Sequence, residues 1–190
     1  MKGRTVPYSE DGTIPIIRSG DLGNIDNNDD FLRSSETENI FYLKKGDVLI
    51  SSIGFGSIGK VQVFDKEGRF GTVSEVTVVR QSKYNPYYLA AFFRSMPGQM
   101  QIERYITGAT GQLHLYPRDV SKFWVPVLPK YQQNAFEVLA KQSDVKRNNA
   151  SHLLDAAKRA VEIAIERNES AALNYLESIV VKTAEETEEE

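Results

Sequence analysis

Two stretches of the chain carry residue types spaced as nucleotide or base chemistry would need them. Gly54-Phe55-Gly56-Ser57-Ile58-Gly59-Lys60 fits the G-x-G-x-x-G pattern of dinucleotide-binding loops. Up to its last position it also fits the phosphate-binding pattern G-x-x-x-x-G-K. Both chemistries need a strand before the glycines and a helix after them, because the free N–H groups of a helix N-terminus face the phosphate. The next residues here are Val61-Gln62-Val63-Phe64, β-branched and alternating, which predicts a strand. Val61 also stands where a magnesium-holding Ser or Thr is required. The stretch reads as a glycine-rich β-turn, and no nucleotide cofactor is expected.

The second stretch, Asn85-Pro86-Tyr87-Tyr88, looks like the Asn-Pro-Pro-Tyr motif with which adenine methyltransferases clamp a flipped base. It has one proline where that motif has two, and helix capping accounts for it. The two histidines, His114 and His152, have no evident Ser/Asp or carboxylate companions, so no catalytic constellation is expected. There is no cysteine, which excludes disulfides and thiolate metal sites and fits a reducing cytoplasm; no metal is expected. No apolar run approaches the roughly 20 residues that cross a bilayer, and residues 1–8 lack the apolar core of a signal peptide. The expectation is a cytoplasmic protein that does not engage a membrane.

The elements that must position any site change character near Pro129. All 13 glycines and all seven prolines lie at or before it, and neither occurs after it. This predicts an α+β fold: a β-rich part with short helices over residues 1–130, a helical arm over 131–182, and an acidic disordered tail over 183–190. Strands are predicted at 13–18, 47–52, 60–64, 73–80 and 123–127, and helices at 85–96 and 98–105. Tyr87, Phe92, Phe93 and Trp124 are assigned to the core rather than to base stacking. In the arm, helices are predicted at 131–143, with Phe136 and Leu139 inward, and at 151–182. Leu154, Val161, Asn168 and Tyr175 recur every seven residues, as do Ala157, Ala164 and Ala171, a pattern suited to coiled-coil packing. Lys158, Arg159, Glu162, Glu166 and Glu169 form a polar face beside them. The net charge of −3 includes Glu185, Glu186, Glu188, Glu189 and Glu190, whereas residues 60–130 hold ten Lys/Arg against five Asp/Glu. That surplus permits a basic face on this segment.

Four ordered stretches resemble the target-recognition domain of type I restriction-modification specificity subunits. They are Gly12-Thr13-Ile14-Pro15-Ile16-Ile17-Arg18-Ser19-Gly20-Asp21-Leu22, and Lys45-Gly46-Asp47-Val48-Leu49-Ile50-Ser51 running into Ser57-Ile58-Gly59-Lys60. The third is Asn85-Pro86-Tyr87-Tyr88-Leu89 with Gln101-Ile102 downstream. The fourth is Gly108-Ala109-Thr110-Gly111-Gln112 leading to Val125-Pro126-Val127-Leu128-Pro129 and Gln132-Gln133. The resemblance covers about residues 12–140, and the long helix falls where that family has its coiled-coil spacer. It implies a non-catalytic reader of double-stranded DNA that docks modification (methyltransferase) and restriction subunits, with a dimer through the arm. Family members usually carry two such domains, so the resemblance implies a half subunit or a piece of a longer chain.

A DNA reader must hold phosphates and present side chains to base edges. The resemblance therefore makes Arg18, Ser57, Lys60, Arg69, Arg104, Thr107, Thr110, Gln112 and His114 the candidate DNA contacts. Alternative readings are a recognition domain from a single-chain restriction-methylase fusion, a nucleotide enzyme using Gly54–Lys60, or a helical protein-interaction adaptor.

Overall fold

Glycine and asparagine turns cut the first 80 residues into short apolar runs, each too short to bury itself without a neighbour. The computed structural model describes residues 1–25, 30–37, 39–54, 56–80, 82–108 and 113–188, with side chains to residue 179. It divides into two compact units, Met1–Leu139 and Ala140–Glu190. The strands of the first unit are β1 (Ile14–Ile17), β2 (Arg33–Ser34), β3 (Phe41–Tyr42), β4 (Asp47–Ser51), β5 (Val61–Phe64), β6 (Gly71–Thr72) and β7 (Val76–Val79). The helices are α1 (Pro86–Arg94), α2 (Met96–Tyr105), α3 (Pro117–Val120), α4 (Lys130–Glu166) and α5 (Glu169–Glu188).

The strands form two sheets, in the orders β2-β1-β6-β3 and β5-β4-β7. β4 is central, antiparallel to both neighbours, with Leu49 opposite Gln62 on one side and Val78 on the other. All five of its residues are buried: the apolar centre Val48-Leu49-Ile50 and the polar ends Asp47 and Ser51. In the other sheet β1 and β6 run parallel, Ile16 opposite Gly71. One cluster containing Ile16, Ile17, Leu49, Phe64, Val76 and Val78 joins the two sheets. At the free edge of β7, residues 1–3 add a short extended stretch: Gly3 N donates to Val76 O at 3.1 Å and Val78 N to Met1 O at 2.9 Å.

α1 starts as its sequence predicts. Asn85 is the N-cap, its Oδ1 accepting from Tyr87 N at 2.9 Å, with Pro86 in the first turn. Its buried face, with Tyr87, Tyr88, Leu89, Phe92 and Phe93, packs on β4 and β5. The predicted strand at 123–127 is not one. Its backbone groups bond to side chains instead: Gln101 accepts from Trp124 N at 2.7 Å and donates to Trp124 O at 3.0 Å. The hydroxyls of Tyr84 and Tyr88 donate to the carbonyls of Val125 and Pro126. This clamp turns the Trp124 ring outward, 69% exposed, against its assignment to the core.

The helical part also departs from its pattern. α4 is continuous through 143–151, where nothing breaks it because neither glycine nor proline is present. The interruption comes at 167–168, where Asn168 Oδ1 accepts from Ala171 N at 2.8 Å and caps a new helix. Asn168, assigned to the heptad row, ends that row. α5 then runs to Glu188, into the segment whose composition predicts disorder. Phe136 leans inward on Tyr88, ring centroids 5.2 Å apart, but Leu139 is 63% exposed. Within the second unit the buried alanines are Ala156, Ala160 and Ala172 rather than the predicted row. Leu154, Val161 and Ile165 form one exposed apolar stripe on the face of α4 opposite Ala156 and Ala160.

Candidate nucleic-acid interface

Residues 52–60 connect β4 to β5 as a hairpin turn, with Gly59 N donating to Ser51 O at 3.0 Å and Ser51 N to Lys60 O at 2.9 Å. Gly59 has φ 85° and sits against α2: a Cβ there would lie 3.1 Å from Gln99 Oε1 and 3.3 Å from the Ile102 side chain. Gln99 Nε2 also donates to Gly59 O at 3.1 Å. The strand after Lys60 places no helix N-terminus at the glycines, so the dinucleotide and phosphate-loop geometries are absent, as the β-branched run there predicted. Ser57 uses its hydroxyl within the turn, donating to Ile53 O at 3.2 Å. Lys60 is exposed and makes no ion pair or hydrogen bond through its side chain among the described residues.

A second loop is fastened beside this turn. Thr107 and His114 exchange backbone hydrogen bonds of 3.0 and 2.8 Å, closing the loop between them, and His114 also bridges to Ile53. Leu115 N donates to Ser52 O at 2.8 Å. The alternation of an extended segment then sets Leu115 inward, 1% exposed, and His114 and Tyr116 outward on the same side. Their rings stack at 5.9 Å with an interplanar angle of 11°. Pro117 starts α3, and that turn brings the Arg118 guanidinium over the Tyr116 ring at 5.0 Å. Thr110 and Gln112 lie outside the described residues.

The remaining arginines differ in their partners. Arg104, in the last turn of α2, is exposed and its guanidinium has no partner among the described residues. Arg18 is tied to the buried Asp21 through Nε and Nη2 at 3.4 and 3.3 Å, and this hydrogen bonding raises the guanidinium pKa. Its turn reaches the hairpin end of β4 through Glu75, which accepts from Ser19 Oγ at 3.2 Å and, through its carbonyl, from Ser52 N at 2.8 Å. Arg69 lies toward the opposite end of β4: the neighbouring Phe70 carbonyl accepts from Leu43 N, just before the Lys44–Asp47 turn into β4. Arg69 pairs with Glu36, holding that carboxyl below the usual range, and lies over Tyr42 at 4.8 Å.

Ser57, Lys60, Thr107 and His114 thus share one end of β4 with the Arg18 turn beside them, α2 presses on the same hairpin, and Arg69 is held elsewhere. Sequence reading passed over Tyr116 and Arg118, although the alternation His-Leu-Tyr before a helix-starting proline carries the signal.

The family model for the type I restriction modification DNA specificity domain matches residues 2–154. No curated protein matches the chain. Among solved structures the chain is similar to the S subunit of a type I restriction-modification system from M. genitalium, at 16% identity and a TM-score of 0.51. The match covers 87% of this chain and 41% of that one, so the chain spans about two fifths of the S subunit's length. At that identity the likeness is one of fold, α+β with a long helical arm.

Proposed function

The chain belongs to the type I restriction modification DNA specificity domain family, and on that premise we propose that it reads a short double-stranded DNA sequence through the hairpin-turn end of β4. The observation that carries this reading is the backbone bridging of the 52–60 turn to the 107–114 loop. It sets an unpaired lysine beside groups that can meet bases and phosphates, the two kinds of contact a reader needs. The candidate contacts there are Ser57, Lys60, Thr107 and His114, with Arg18 and Arg104 at the margin and Thr110 and Gln112 in the loop between. Arg69 belongs to the set only if DNA also crosses the far end of the sheet.

In this reading residues 1–130 recognise DNA, 131–182 form the arm, and 183–190 are an acidic tail. Recognition directs partner methyltransferase and restriction subunits to the site, and the chain contributes no chemistry of its own. The exposed stripe Leu154, Val161 and Ile165 supports an arm that pairs with another helix. The test is methylation sequencing of the source genome with and without the gene. A short motif should lose its adenine methylation on deletion; an unchanged methylation pattern refutes the proposal.

A further inference from the structure

Arg118 and Tyr116 lie outside the set of contacts that sequence reading chose, yet their geometry is the most specific feature of this surface. A stacked guanidinium keeps its N–H donors in the ring-parallel plane, pointing past the ring edge. The Arg118 side chain is 78% exposed, and its one ion pair among the described residues, Nε to Asp119 at 3.9 Å, is too long for a hydrogen bond. Asp119 is better engaged by Lys122 Nζ at 2.8 Å. Among the described residues nothing occupies the terminal donors of Arg118, and its guanidinium carbon sits over the Tyr116 ring, 5.0 Å from the ring centre. Tyr116 is itself steadied by the stacked His114 ring, and His114 by two backbone bridges, to Thr107 and Ile53. The ladder is thus anchored at one end in the hairpin turn and ends in a guanidinium whose terminal nitrogens have no partner among the described residues.

We infer that Arg118, held by Tyr116, is a specificity-determining residue that reads one guanine of the target through O6 and N7. This rests on the DNA-reading proposal above. The fork of an arginine matches the paired acceptors O6 and N7 that guanine presents in the major groove; a phosphate also takes a fork but carries no sequence information, so the two contacts are told apart by whether sequence preference changes. Ordering the fork before binding also lowers the entropy lost on contact. The stacking makes Tyr116 a positioning residue for Arg118.

The test is selection of binding sites from random duplex DNA by the full 190-residue chain, comparing wild type, Arg118→Ala, Arg118→Lys and Tyr116→Leu. Melting temperature serves as the control for folding. The expected result is a motif in which both Arg118 variants lose preference for guanine at one position, by roughly 5- to 150-fold, with the other positions retained. Arg118→Lys, which keeps the charge, should retain the salt dependence of wild type. Tyr116→Leu should weaken the same preference without moving any other. A motif unchanged by Arg118→Ala, or uniformly weaker binding to every sequence, overturns this inference and leaves the DNA-reading proposal standing. Failure of the wild-type chain to enrich any sequence overturns both.

Discussion

Lys60 and Arg69 carry the same charge but differ in their partners, and that difference makes a quantitative prediction. Lys60 is exposed at the hairpin turn with no acidic partner among the described residues. Arg69 is already neutralised by Glu36 and stands toward the other end of β4. A cation that replaces a condensed counterion on DNA adds about −0.9 to the slope of log K against log salt. Between about 50 and 200 mM salt, one such contact therefore changes affinity by about 3.5-fold. Lys60→Ala should flatten the slope by about one unit, so that its deficit relative to wild type shrinks about 3.5-fold over that range. Arg69→Ala should leave the slope where it was, because the cation it removes was spent on Glu36. Fluorescence anisotropy with a labelled duplex, repeated across that salt range, reads both slopes. Equal flattening by the two variants, or none by Lys60→Ala, would refute the assignment of the hairpin end as the DNA-facing end. Arg18 is a poorer probe, because its removal leaves the buried Asp21 carboxylate with one partner fewer.

Arg80→Ala should cost about 3–5 kcal/mol, since it leaves the Asp47 carboxylate, 1% exposed and held by Arg80 at 2.6 Å, without its counter-charge and with the Lys44 N–H at 2.8 Å as its remaining described donor. Thermal melting should fall by roughly 6–20 °C, and a loss below about 1 kcal/mol in urea denaturation would contradict the account. Leu154→Glu with Val161→Glu alters side chains that are 58% and 61% exposed, so helicity should be unchanged while association through the arm is lost. Sedimentation velocity measures this, and an unchanged oligomeric state would remove the stripe from the proposal.

Much of the local structure was legible because it depends on near neighbours. The strand after Lys60 follows from Val-Gln-Val-Phe, and it alone was enough to reject the phosphate loop. The start of α1 follows from Asn85-Pro86. The shift to helix after Pro129 follows from the loss of glycine and proline. Two-residue strands such as β2, β3 and β6 leave no periodicity to read, because their identity lies in pairing with distant partners. Trp124 was misplaced for the same reason. Nothing near it in sequence announces that Gln101, 23 residues earlier, will clamp its backbone and turn its ring to solvent.

The candidate surface divides along the same line. Residue types settled that the glycine motif is a turn and that a helical segment succeeds a β-rich one. Each of those conclusions rests on interactions within a few residues. Only the tertiary structure decided which loops meet, because Ile53 and His114 are brought together by pairing across more than sixty residues of chain. It also separated Arg69, neutralised by Glu36, from Lys60, and raised Arg118 onto the Tyr116 ring. A charge or a fork acquires its role from what stands beside it, and that is a property of the folded chain.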